Sequence, residues 1–369
     1  MSLTNSQNSQ NSQNSQNSQN SQNSQAAAQQ DMLIARAVDI AREGIIDARP
    51  PAPYTPEPKG LPPVKRLRRI EFDFAQSILM AEMLETLTVK PEPHKNPATE
   101  MEVLASTGGI ANPKPKPIFT LNLPTVKDFQ TEIDLLMGYA TLRGERLPEI
   151  SVQTQELVAF FASILPIAPA RTRMVQYLLA LGLDLATVVV QRLKIGFDAP
   201  RPNTLSQQVQ PMLPTPLHAS YPSGHATQAF TLAALLEILT REDEGRPIAF
   251  SPHSQLLAMA ARIATNRTVM GVHFPSDSAA GAFLGITLAR WIAVRAGVEH
   301  QDCPSLNFDA RLWGKTAPGG SRDFYLARLC KVLEGDPCLH IGAPVTGPVS
   351  GLMKAVWDEA RAEWSERWS

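Results

Sequence analysis

From about residue 126 onward, apolar side chains recur every three or four positions, the spacing of helices that bury one face. The pattern predicts helices over about 126–143, 151–164, 171–194, 224–240, 253–265, 277–297, 321–334 and 350–366. Upstream, helix-like runs cover about 31–46 and 71–89. Strand-like alternation is scarce. The expected fold class is therefore all-α, a helical bundle in which sites are built from side chains on facing helices.

Other stretches cannot belong to such a bundle. Residues 5–25 are seven copies of Asn-Ser-Gln, which have nothing to bury, so a disordered tail is expected over 1–30. The stretch RPPAPYTPEPKGLPPVK (49–65) and the Pro/Lys-rich run 91–117 read as extended, semi-rigid connectors strapped around a core. The expected organisation is a tail at 1–30, a helical and proline-rich arm at 31–120, the main bundle at 121–300, and a helical extension at 301–369 packed on it.

Composition narrows the partners. A net charge of −1 over 369 residues argues against a general nucleic-acid binder and makes any cationic site local. Cys303, Cys330 and Cys338 are odd in number and lack metal-ligand spacing, which fits a reducing compartment. No cationic stretch followed by an apolar core opens the chain. The apolar run 157–168 is too short to span a bilayer, 174–190 carries Asp184, and 279–298 carries Arg290 and Arg295. The expectation is a cytoplasmic protein with no membrane span. The proline-rich arms are candidates for covering a partner subunit, which implies a homo-oligomer.

Three short segments carry the chemistry. In KIGFDAPRP (194–202), Lys194 closes a long helix and Arg201 is flanked by two prolines that restrict its backbone. In YPSGHATQAF (221–230), Ser223, Gly224 and His225 stand where a helix begins, and free N–H groups there suit an anion. In NRTVMGVHFPSD (266–277), Arg267 lies six residues before His273, and Asp277 follows His273 at i+4. At that spacing Asp277 can fix the tautomer of His273 and leave the other ring nitrogen as a nucleophile or ligand, or simply cap the helix that starts there.

Taken together, these residues resemble the signature of the type 2 phosphatidic acid phosphatase and vanadium haloperoxidase superfamily, K-x6-RP, then PSGH, then SR-x5-H-x3-D. The chain departs from it at Asn266, where serine is usual. The resemblance covers about 190–290 and leaves 1–120 and 300–369 unexplained.

The resemblance implies a pocket for one tetrahedral oxyanion, phosphate or vanadate. Lys194, Arg201, Ser223, the Gly224 amide and Arg267 would spread its charge. In relatives of the phosphatase kind, the residue matching His273 attacks phosphorus to give a phosphohistidine. The match to His225 protonates the leaving alcohol and then activates water, and no metal takes part. In relatives of the haloperoxidase kind the same residues hold vanadate, with the match to His273 bonded to the metal, and hydrogen peroxide oxidises a halide. The short spacings from Arg201 to Ser223 to Arg267 and the motifs SYPSGH and GVHFPSD resemble the soluble bacterial acid phosphatases. Gln191 matches neither residue expected of haloperoxidases. On the other side, His218 lies seven residues before His225, where bromide-oxidising haloperoxidases place a second histidine. It is the candidate halide- or substrate-side residue. The first expectation is thus a metal-independent, acid phosphatase-like phosphomonoester hydrolase, with a vanadate-dependent bromo- or iodoperoxidase as the alternative. A non-catalytic oxyanion-binding protein is the weaker third reading.

Overall fold

The computed structural model describes residues 29–48, 60–92, 96–108, 112–168, 170–241 and 250–366. The Asn-Ser-Gln tract and most of the first proline-rich connector lie outside these. Two units are distinguished. In the first, Met1–Gly60, a helix α1 spans 29–43, and its Met32, Leu33, Ile34, Val38 and Ile40 are exposed.

The second unit, Leu61–Ser369, carries everything else. Its elements run α2 (Pro63–Leu67), α3 (Phe72–Leu84), β1 (Leu87–Lys90), β2 (Glu100–Ser106), β3 (Pro115–Asn122), α4 (Val126–Tyr139), α5 (Arg143–Gln153) and α6 (Val158–Ala162). Then follow α7 (Arg173–Phe197), α8 (Pro202–Leu205), α9 (Gly224–Arg241), α10 (Gln255–Met270) and α11 (Pro275–Ala296). The chain ends with β4 (Cys303–Asp309), α12 (Leu326–Glu334), β5 (Leu339–Val345) and α13 (Gly351–Ser365).

The all-α expectation is corrected: a five-stranded mixed sheet, ordered β1-β2-β3-β4-β5, accompanies the helices. Neighbours pair antiparallel except β3 with β4, which run parallel with Phe119 opposite Leu306 and Leu121 opposite Phe308. Three strands fall in stretches read as helix end or connector. Their apolar residues Met101, Val103, Ile118, Phe119 and Leu121 are fully buried, so this arm supplies core as well as strapping. Pro115 and Pro117, which argue against a strand, sit where β3 pairs with β2 alone, because β4 joins only at Phe119–Asn122.

The helical core is built around α11, nearly every residue of which is buried. Its runs are apolar on all sides because α7, α9, α10 and α13 surround it. Gly281 and Gly285 let α9 approach closely: a β-carbon at Gly285 would stand 2.4 Å from the Thr227 carbonyl oxygen, and one at Gly281 would stand 2.6 Å from that of Ser223. Gly285→Ala is therefore expected to cost about 1–3 kcal/mol through overpacking, read as a lower denaturant midpoint. An unchanged midpoint would show that α9 yields freely there.

Two helical stretches, Arg173–Leu205 and Pro275–Ala296, are long and apolar enough to cross a membrane by length and composition, which the sequence reading had discounted. Here their most apolar windows are 61% and 89% buried inside the protein, as core helices. The sheet meets the helices where α7 ends. Ala98 N–H donates to the Gly196 carbonyl (2.8 Å), and the Tyr221 hydroxyl donates to the Asn122 carbonyl at the end of β3 (3.1 Å). The loop carrying the PSGH motif is thereby fixed to the sheet.

Candidate active site

Each motif residue is placed by a local rule of backbone chemistry. Helix α7 stops at Asp198, whose φ of 49° is left-handed, and Pro200 and Pro202 prevent its resumption. Lys194 thus stands in the last turn, buried, and its ammonium donates to the carbonyls of Ala219 (2.6 Å) and Ser220 (2.8 Å). An ammonium has three N–H donors, so one is left for a ligand.

Arg201 reaches across the site. Its Nε donates to the His218 carbonyl (3.0 Å) and its Nη1 to the Val272 carbonyl (2.7 Å). Nη1 also lies 3.2 Å from His273 Nε2, and Nη2 lies 2.9 Å from His218 Nδ1.

Helix α10 ends in the same manner as α7, at Gly271 with φ of 84°, and the turn delivers His273 two residues later. Pro275 then opens α11. Asp277 Oδ2 accepts both the Phe274 N–H (3.0 Å) and a bond from His273 Nδ1 (2.9 Å). The two sequence readings of Asp277, helix cap and histidine orienter, therefore hold together. The tautomer follows: a guanidinium can only donate, so Nε2 facing Arg201 is the acceptor and Nδ1 carries the proton given to Asp277.

Ser223 caps α9, its Oγ accepting the Ala226 N–H at 3.4 Å, while its own N–H donates to the Asp277 carbonyl (3.0 Å). Gly224 and His225 form the first turn of α9. His225 is hydrogen-bonded to the backbone carbonyl of Gln153 and lines a cavity of about 250 Å³ with Gln153, Leu183 and Gln228. Arg267, 1% exposed, donates from Nη2 to Gln153 Oε1 (3.0 Å), and its buried Nε has no hydrogen-bond partner among the described residues.

Every site residue named from the sequence thus lies in one cluster. Lys194, Arg201, His218, Ser223, His273 and Asp277 are joined by direct bonds or through the 218–220 backbone, Arg267 and His225 are joined through Gln153, and Gly224 links the two groups along the chain.

The cluster is electrostatically tense without an anion. Burial, then Arg201 and Lys194, hold the His273 ring well below the ordinary histidine range. Burial and the Arg267 charge push His225 down to about 3. Burial, and then Arg201, pull Lys194 well below the usual lysine value, and burial brings Arg201 and Arg267 each to about 10. Burial raises Asp277, opposed by the Phe274 N–H, Lys194 and Arg201. A di- or trianion placed among these groups would relieve all the cationic shifts at once.

Four residues at or behind the site escape sequence reasoning. Gln153, on α5, is one. Asn266, the departure from the signature, is fully buried: its Nδ2 donates to Glu149 Oε1 (2.8 Å) and Gln153 Oε1 (3.0 Å), and its Oδ1 accepts from Arg146 (2.9 Å). Glu132, on α4, accepts at Oε2 from the Ser276 N–H and hydroxyl (both 3.0 Å) and at Oε1 from Arg322 Nε (2.7 Å). Burial raises Glu132 to about 7 against the pull of Arg322. No spacing marks Gln153, Glu132 or Arg322, since each reads as a polar residue on the outer face of its segment.

Residues 173–298 match the family model of the PAP2 superfamily. The match supports PAP2 superfamily membership for the segment from α7 to α11. The PAP2 match opens at the first residue of α7 and closes two residues beyond α11, so it contains Lys194, Arg201, Ser223, His225, Arg267, His273 and Asp277. Gln153, Glu132 and Arg322 lie outside it. PAP2 membership supports a function of the phosphatase or haloperoxidase type. No curated protein matches the chain.

Proposed function

We propose that the protein hydrolyses small phosphomonoesters through a phosphohistidine at His273. The observation that carries this reading is the clamp on the His273 ring: Asp277 at Nδ1 and Arg201 at Nε2 leave a neutral imidazole with its lone pair aimed among three cations. The substrate phosphate would take the third N–H of Lys194, the unpartnered Nε of Arg267 and the guanidinium of Arg201, with Ser223 and the Gly224 amide beside them. His273 Nε2 forms a bond to phosphorus as the ester P–O bond breaks. The proton for the leaving oxygen comes from His225, which gains it because the bound dianion opposes the field of Arg267 and Lys194. The cavity of about 250 Å³ at His225 gives room to a small alcohol. Water entering there then yields a proton to His225, its oxygen attacks phosphorus, and the P–N bond breaks to release phosphate.

A second reading has its own support. His218 Nδ1 lies 2.9 Å from the guanidinium that also touches His273, so this histidine belongs to the site and is no stray loop residue. Vanadate fits the same donors, and the orphaned Arg267 Nε is suited to an oxyanion of either kind. Bound there, vanadate would activate hydrogen peroxide for halide oxidation. In that case Lys194, Arg201, Arg267 and Ser223 would hold it, and His218 would sit on the halide side.

A paired assay on one metal-free preparation decides between the two. It measures p-nitrophenyl phosphate hydrolysis without additions, and bromide oxidation with peroxide after soaking in orthovanadate. Hydrolysis that vanadate inhibits is the expected result. Bromide oxidation that appears only with vanadate, and outruns hydrolysis, would overturn the phosphatase reading in favour of the second.

A further inference from the structure

Helix α5 lies outside the PAP2-matched segment, yet its last residue touches two members of the site. Gln153 is 1% exposed. Its side-chain oxygen accepts from Arg267 Nη2 and from Asn266 Nδ2, both at 3.0 Å, and its backbone carbonyl bonds to His225. Its amide nitrogen donates to Glu149 Oε1 (3.0 Å). Glu149 is in turn held by a bidentate pair with Arg262 (2.8–3.0 Å) and by Asn266 (2.8 Å). Glu149 and Asn266, the partners of the Gln153 side chain other than Arg267, are thus themselves fixed, so its oxygen is a rigid acceptor.

We propose that Gln153 is a positioning residue for oxyanion binding, which turns the Arg267 guanidinium so that its Nε faces the ligand. The inference rests on the oxyanion-site reading above. Arg267 is buried on a helix with no carboxylate bonded to it, and a free guanidinium there would have several rotamers to choose from. The bond to Gln153 removes that choice by engaging Nη2, and Nε is the donor left without a partner. Asn266 is part of the device. Where the family signature has serine, the longer amide spans the gap to Glu149 and Gln153 and ties α5 to α10. A neutral acceptor is the appropriate choice, because a carboxylate at the same place would cancel the charge that the oxyanion needs.

The test is direct titration of orthovanadate into wild type, Gln153→Ala and Gln153→Glu by calorimetry, with thermal melts alongside. The expected result is a dissociation constant raised about tenfold by Gln153→Ala. Gln153→Glu, nearly the same shape, should raise it about a hundredfold by neutralising Arg267, while the melting temperature falls because a carboxylate replaces the amide that donates to Glu149. If Gln153 serves only to pack α5, the melts will move and the dissociation constants of the folded variants will match wild type, which would overturn the inference. Wild type that binds no vanadate would overturn the oxyanion-site reading as well, so the two failures are distinct. Should Gln153→Ala not fold, the glutamate variant alone decides.

Discussion

If His273 is the nucleophile proposed above, replacing it with alanine is expected to lower turnover by on the order of 10⁵ to 10⁶, because the covalent step is lost with it. Replacing Asp277 with alanine tests the finer point. Alanine leaves the His273 Nδ1–H without its acceptor, so neither the tautomer nor the aim of the Nε2 lone pair is fixed any longer. A fall of about 10³- to 10⁴-fold in kcat with a much smaller change in KM is the expected signature of that loss. Single-turnover kinetics on both variants, with circular dichroism to confirm folding, give the measurement. An Asp277→Ala enzyme within tenfold of wild type would show that Asp277 serves the helix and not the histidine.

Breaking the buried pair behind the site should have the largest effect on stability. Glu132→Ala removes the nearer carboxylate beside Arg322, leaving Asp128 at 3.6 Å, and takes the acceptor from the Ser276 N–H at the start of α11. Loss of one member of a buried pair costs about 3–5 kcal/mol, since the other charge stays desolvated. Urea unfolding of Glu132→Ala, of Arg322→Met and of the Glu132→Ala/Arg322→Met double variant forms the cycle. The double variant should lose much less than the sum of the singles. Additive losses would mean that the two side chains contribute independently. Because Asp277 lies one residue beyond Ser276, Glu132→Ala should also reduce kcat at temperatures where the protein remains folded.

The helices and the site were legible in the sequence to different depths. The i+4 step from His273 to Asp277 and the helix-opening PSGH motif fix geometry within a few residues, and geometry of that kind survives any tertiary context. Long apolar periodicity also located α7, α9, α10 and α11 to within a few residues of their ends. The sheet was hidden because its strands are short. Three of them, β3, β4 and β5, carry prolines, and pairing of residue 119 with 306 leaves no trace in local pattern. The expected helix at 151–164 failed for a related reason: α5 ends at Gln153 and α6 starts at Val158, so the run straddles a turn. Gln153 sits at that turn, and only the fold shows that it faces Arg267. Glu132 was equally hidden, since a glutamate on an amphipathic helix ordinarily points to solvent and this one is enclosed by α11 and the segment around Arg322.

The parallel pairing of β3 with β4 also bears on the order of synthesis. A growing chain has Lys194, Arg201, both site histidines and Asp277 in hand before β4 exists, and Arg322 arrives later still. Until then β3 has an open edge where Phe119–Asn122 will later pair, and Glu132 has no counter-charge. Residues made after the site therefore complete its support, so catalytic competence should appear only once β4 and Arg322 have been made and have folded back onto β3 and α4.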